Sequence, residues 1–270
     1  MALDEFEFKS SYNKIDDDIA EQFYLPCMRN STQYDRITGY YSSAVYIVAW
    51  SALREFVNNH GKMRIICSPF ISEEDSHALS QGNIAKNDEI VKKSLMEELD
   101  RMMNTSYLSK PSKLLACLIS SGTISVRIAI PSDTSHPSVK QLFHDKVGIF
   151  HDSFGNIVGF RGSLNETYSG LSNCGNIESI DVFQNWDGGK ESQRVDEAAM
   201  FFERVWNGET NTKLLCDIPE EVRERINSIA KEVQWEQLLD DINSDIAKEI
   251  NWEPHSSVNG KKKLREHQYA

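Results

Sequence analysis

The spacing of apolar positions alternates between helical and strand periods along the chain, and each switch marks an element. Arg36-Ile-Thr-Gly-Tyr-Tyr-Ser-Ser43 reads as a short strand ending in a glycine turn, with Ser42 or Ser43 placed to cap a helix. Val45, Val48, Ala49, Ala52, Leu53 and Phe56 then form one apolar stripe at helical spacing. Asn58 to Gly61 predicts its end, with Gly61 in the left-handed conformation. Lys62 to Cys67 is a compact apolar strand stopped by Pro69, so strand, helix and strand predict a βαβ unit with a parallel pair. Residues 71–121 are mostly helical in pattern. Ile90, Leu95, Met96, Leu99, Met102 and Met103 mark one amphipathic helix, and Lys113 to Ile119 marks another that ends near Gly122.

Strand alternation returns at Thr123 to Ile130 and stops at Pro131. Lys146 to Phe150 and Ile157 to Phe160 flank the turn sequence Asp152-Ser-Phe-Gly-Asn156 and predict a hairpin. Ile177 to Phe183 predicts a further strand. Val195, Ala198, Ala199, Phe202, Val205 and Trp206 predict a strong helix, with Gly208 as its stop. Beyond Thr210 the pattern changes to helices opened by Pro219 and Glu220 and spanning Asp240 to Ile250, and Ser256 to Lys263 reads as a linker. The expected fold is α/β, a mixed β-sheet flanked by helices with a helical C-terminal extension. The expected units are 1–210, 211–255 and 256–270.

Composition narrows the class. With 270 residues and a 40% hydrophobic fraction, the chain has material for a full core. No apolar run is long enough to span a bilayer, so no membrane partner is expected. Met1 to Ser10 is acidic and lacks the pattern of a secretory signal, which points to the cytoplasm. The five cysteines, Cys27, Cys67, Cys117, Cys174 and Cys216, are scattered, and none are at zinc-ligand spacing. Cys67 and Cys117 read as core thiols in a reducing compartment. No metal and no cofactor is expected. The formal net charge of -12 counts against simple electrostatic capture of nucleic acid, unless the acidic runs face away from a locally basic cleft.

Candidate chemistry concentrates in three stretches. In Phe143-His-Asp-Lys-Val-Gly-Ile-Phe150, an extended backbone turns His144, Lys146 and Gly148 to one face, with Val147 and Ile149 anchored behind. An imidazole beside a fixed positive charge suits attack on an anionic phosphodiester: Lys146 holds the phosphate oxygens while charge builds, and it lowers the His144 pKa, keeping the ring neutral and nucleophilic. Gly148 leaves backbone room for a ligand. A strand histidine with an exposed lysine nearby fits the same three residues. In Phe160-Arg-Gly-Ser-Leu-Asn-Glu-Thr167, Gly162 permits a tight turn, and Ser163 and Asn165 offer neutral groups for phosphate oxygens; an ordinary polar loop reads the same way. In Ile177-Glu-Ser-Ile-Asp-Val-Phe183, Glu178 is placed to fix the His144 tautomer, with Asp181 the competing candidate and an edge-strand acid facing water the other option.

Taken together, His144, Lys146, Gly162, Ser163, Asn165 and Glu178 resemble the phospholipase D superfamily, whose signature is His-x-Lys on a strand, then Gly-Ser-x-Asn, then a downstream acid. The resemblance covers roughly Asp35 to Asn207. It implies a phospholipase D-like nuclease domain over 1–210, with Ser163 and Gly162 binding substrate and His144, Lys146, Asn165 and Glu178 catalytic. The family places an Asp where this chain has His151, with Asp152 one residue later; nuclease-like branches dispense with that Asp. One motif copy implies a homodimer with a composite site that needs no metal. His144 of one subunit forms a phosphohistidine and His144 of the partner subunit protonates the leaving oxygen. The tail resembles the opening of superfamily 2 (DEAD/DEAH-like) helicase cores at Leu264, Arg265 and Gln268, although it also fits a plain basic tail. This resemblance implies the N-terminal nuclease module of a restriction or phage-defence helicase, acting on DNA. Without a phosphate-binding glycine-rich loop, ATP hydrolysis by this chain is not expected. A nucleic-acid or protein-docking module of the same helicase is the alternative, and a lipid-hydrolysing phospholipase fits less well.

Overall fold

The computed structural model describes residues 1–68, 84–129, 145–209 and 215–250. Among the described residues, eight strands form one sheet in the order β1-β7-β6-β5-β2-β3-β4-β8. They are β1 (Ser11–Asn13), β2 (Gln33–Thr38), β3 (Lys62–Cys67), β4 (Ile124–Ala129), β5 (Val147–His151), β6 (Ile157–Gly162), β7 (Ser179–Gln184) and β8 (Leu215–Asp217). β2, β3 and β4 run parallel, and the remaining neighbours are antiparallel. The Val45–Asn58 helix is the crossover between β2 and β3, as its sequence stripe predicts. The 147–162 hairpin forms at the expected place.

Strand alternation sends side chains to two cores. Tyr34, Phe150, Val158, Phe160, Ile180 and Val182 face a large core with Phe23, Tyr24 and the Val45–Asn58 helix. Ile37, Ile66, Val147, Ile149 and Phe183 face the opposite side, against Val195, Ala198, Phe202 and Val205 of the Gly189–Trp206 helix. On the first side Tyr34 and Phe150, register partners on β2 and β5, stack at 4.1 Å between ring centroids.

Several local expectations give way to packing. The left-handed residue after the Val45–Asn58 helix is His60, at φ 57, not Gly61. Gly61 is required for space, because a Cβ there would meet the Phe56 carbonyl oxygen at 2.6 Å. No side chain caps this helix at Ala44; Ser42 Oγ accepts from the Ala44 N–H at 3.3 Å, and Ser43 Oγ meets Ser112 Oγ at 3.0 Å. The stretch expected as a helical extension begins with β8, which pairs with β4. Its helices are laid on the body: Val222 and Ile226 pack with Ala116, and Leu238, Leu239 and Ile242 join the large core. The short edge strands β1 and β8 carry no periodic signal, since three residues are too few to show one. No helix among the described residues is long and apolar enough to cross a membrane. The expected helicase segment at Leu264, Arg265 and Gln268 lies outside the described residues.

Candidate active site

Register alone gathers the candidate residues at one end of the sheet. Ile37 opposes Val147, so Thr38 at the end of β2 comes level with Lys146 just before β5. Val147 opposes Arg161, so Gly162 also comes level with Lys146, and its N–H donates to the Lys146 carbonyl at 3.4 Å. Gly162 in turn opposes Ile180 on β7, and the Ser163 N–H donates to the Ser179 carbonyl at 3.0 Å. Glu178 immediately precedes that strand. The ends of three successive strands and the distant end of β2 therefore meet at one sheet end. His144 lies outside the described residues.

Asn165 is held with its amide oriented. Its Oδ1 accepts from the Tyr40 N–H at 3.2 Å, and the Thr38 hydroxyl is 3.4 Å from the same oxygen. A backbone N–H only donates, so the atom facing it must be the oxygen. Nδ2 is thereby turned away from Tyr40 as the donor end, and it has no hydrogen-bond partner among the described residues.

Lys146 is only 5% exposed, and alternation along its strand points it to the side of Gly148 and Phe150. Burial, and next the charge of Arg36, push its ammonium below the ordinary lysine value, while Glu178 and Asp145 oppose them. Glu178 is also 5% exposed, and by the same alternation it shares the side of Ile180 and Val182. Its carboxylate accepts from Asn176 Nδ2 at 3.4 Å. Lys14, across from it at the sheet edge, is likewise pushed down by burial and supported by Glu178. Asp181, the competing acid, is exposed and pairs in register with Arg161 and Ser11, on the opposite side of β7 from Ile180.

Ser163 is tied to β7 as well: its Oγ accepts from the Ser179 N–H at 3.0 Å and lies 3.4 Å from the Ser179 carbonyl. Gly162 and Gly148 differ from expectation. At Gly162 the need is close strand approach, not a turn, because a Cβ would stand 2.1 Å from the Ser179 carbonyl oxygen. At Gly148 the space is filled by the Phe160 ring, 2.1 Å from where a Cβ would be, so it is not open to a ligand. His151, at the family's Asp position, is at the far end of β5, with Nε2 3.4 Å from Asp35 Oδ2. Asp152 accepts from the N–H groups of Leu3, Phe154 and Asn156 and from Asn156 Nδ2, closing the hairpin and fastening the N-terminus to it. Among the described residues no three His, Cys, Asp or Glu side chains are grouped as metal ligands.

No protein-family model and no curated protein sequence matches the chain. Solved structures similar to it include NucT from Helicobacter pylori, at TM-score 0.40 and 13% identity, covering 74% of this chain and 97% of that one. Nuc from Salmonella typhimurium, a phospholipase D family member, aligns at TM-score 0.34 and 13% identity over 68% of this chain and 84% of its own.

Sequence reasoning assigned no role to the residues that hold Asn165. Arg36 is wholly buried on β2 and forms an ion pair with Glu166 at 2.9 Å. Gln33-Tyr-Asp-Arg-Ile-Thr38 is mostly polar and does not mark Arg36 as buried; once buried, its guanidinium demands a partner. Glu166, directly after Asn165, is that partner.

Proposed function

We propose that the chain is a metal-independent phosphodiesterase that cleaves DNA, the nuclease module of a restriction or phage-defence helicase. The observation that supports this reading is the meeting of Lys146, Ser163, Asn165 and Glu178 at one sheet end, with the donor end of the Asn165 amide turned away from Tyr40. A buried ammonium and a preset amide donor suit a phosphate whose charge grows in the transition state. In this reading a nitrogen of His144 attacks phosphorus, and the P–O bond to the leaving strand breaks. His144 of the partner subunit gives that oxygen a proton, then accepts one from the water that attacks the phosphohistidine and breaks the P–N bond. Glu178 holds the His144 tautomer, and the active species is a homodimer. The Ser163 proton turns from Ser179 to a phosphate oxygen, with Gly162 keeping the loop close to β7.

The test is cleavage of plasmid and single-stranded DNA in excess chelator by wild type, His144→Ala and Lys146→Ala, with mass by light scattering. Cleavage by the wild-type dimer alone supports the enzyme. DNA binding without cleavage in any arm would replace it with a docking module, and activity only in the absence of chelator would remove the metal-independent mechanism.

A further inference from the structure

We propose that Arg36 is a positioning residue of the phosphate site: it fixes the loop that presents Asn165 and sets a permanent positive charge on the side of the sheet that Lys146 faces. The inference rests on the phosphodiesterase reading above and adds a residue that the family signature does not contain.

Arg36 is 0% exposed at the centre of the sheet, opposite Gly148 and over the Phe160 ring, 4.9 Å from its centroid. A guanidinium does not shed its charge on burial. Its partners bracket Asn165 in the chain: Nη2 donates to the Leu164 carbonyl, and Nε donates to Glu166 Oε2 at 2.9 Å. Glu166, 2% exposed, also accepts from the Tyr24 and Tyr34 hydroxyls. The backbone of Glu166 is fastened too, its N–H donating to Thr38 Oγ1 at 3.2 Å and its carbonyl accepting from the Ser42 N–H at 2.9 Å. The residues on either side of Asn165 are thus clamped to β2 and to the segment that follows it, the same segment whose Tyr40 N–H orients the amide. Nη1 finds no acceptor among the described residues.

Core packing does not require this arrangement. Neutral groups of similar size commonly replace a buried ion pair with little loss of stability, so a buried pair with one donor left over asks for another reason. Alternation supplies it. Lys146 and Gly148 point to one side of β5, and Arg36 is the register partner of Gly148, so both cations share that side. Among the described residues, the charged groups acting on Lys146 are Arg36 from β2, Glu178 before β7 and Asp145 on its own segment, with Lys14 of the 11–14 edge beyond Glu178. Arg36 therefore weakens the hold of Lys146 on its proton while the loop it clamps keeps Asn165 in place.

The test is the double variant Arg36→Met with Glu166→Gln, which removes both charges and keeps a carbonyl oxygen for one tyrosine hydroxyl while the amide N–H faces the oxygen of the other. Thermal melting verifies the fold, and kcat, KM and the pH profile are measured on a small chromogenic phosphodiester. The expected result is a folded chain with kcat down on the order of tenfold or more, KM changed less, and the alkaline limb moved to higher pH. A folded double variant with wild-type kcat, or one with reduced kcat and an unmoved alkaline limb, would overturn the proposal. If the double variant does not fold, Arg36→Lys decides. It keeps the charge but not the fork that spans Leu164 and Glu166, so kcat should fall with the alkaline limb in place; unchanged kcat would overturn the role. A wild-type chain that hydrolyses no phosphodiester overturns the reading beneath, whereas an active wild type beside an equally active double variant overturns Arg36 alone.

Discussion

The Tyr40 N–H donates to Asn165 Oδ1 at 3.2 Å, and this one contact decides which end of the amide remains for a ligand. Asn165→Asp keeps an oxygen for Tyr40 but replaces the donor with a second oxygen and adds negative charge. Phosphodiester cleavage should fall by about 10²-fold or more, in the range seen when one transition-state donor is lost. Asn165 is partly exposed, so the melting temperature should move little. Cleavage rate and melting temperature measured on the same preparation check this. Near wild-type cleavage by the Asp variant would remove Asn165 from the phosphate site.

In the proposed mechanism Lys146 would act only while protonated, and burial followed by Arg36 lowers its pKa from the ordinary 10.5. Activity should therefore fade on the alkaline side before an ordinary lysine would titrate. Lys146→Arg carries a charge that does not titrate in this range, so it should lose rate through changed geometry and show no alkaline limb from this position. The same shift gives a stability sign. The unfolded lysine binds more protons than the folded one between their two pKa values, so stability should rise with pH across that window. A pH series of kcat/KM for the two proteins checks the first part, and a limb shared by both would exclude Lys146 as its source.

The sheet was legible because its long elements carry strong period signals: the 45–56 stripe, the 147–160 hairpin and the 195–206 face all formed near their expected places. The candidate site was legible only as residue types. Why Lys146, Gly162 and Ser179 come level depends on strand order and register, which no single stretch encodes. The roles of Gly148 and Gly162 were misread for the same reason, since the atoms that exclude a Cβ belong to Phe160 and Ser179 on neighbouring strands. Arg36 and Glu166 are 130 positions apart in the chain, and their pairing emerges only when β2 and the 163–167 loop are brought together.

Asp152 stands one residue beyond the family's Asp position, and its contacts are structural. Burial alone would raise its carboxyl, but hydrogen bonds from Leu3, Asn156 and Phe154 hold it below the ordinary carboxylate range. With the folded pKa depressed, its stabilisation is present above the unfolded carboxylate value and is lost as pH falls through the folded one. Asp152→Asn turns one acceptor oxygen into a donor facing donors and should cost about 1–3 kcal/mol. Cleavage per folded molecule should be unchanged. Chemical denaturation against pH, with activity on the folded fraction, checks both. A large loss of activity in a fully folded Asn variant would return Asp152 to the chemistry.

The two glycines near the site should respond differently to the same change. At Gly148 an added Cβ meets the Phe160 ring, a side chain that a smaller residue can replace. Gly148→Ala should destabilise by about 1–3 kcal/mol, as overpacking does, and Phe160→Leu in the same chain should recover part of that loss. At Gly162 the obstacle is the Ser179 carbonyl, whose N–H partner is Ser163. Backbone has no smaller form, so Gly162→Ala must push β6 from β7 exactly where Ser163 and Asn165 leave the sheet. Its cleavage should fall by more than its stability loss explains, and no side-chain change at Ser179 should restore it. Melting temperatures and kcat for the two single variants and the Gly148→Ala, Phe160→Leu double variant separate the cases, and equal behaviour at both glycines would argue against a register-set site.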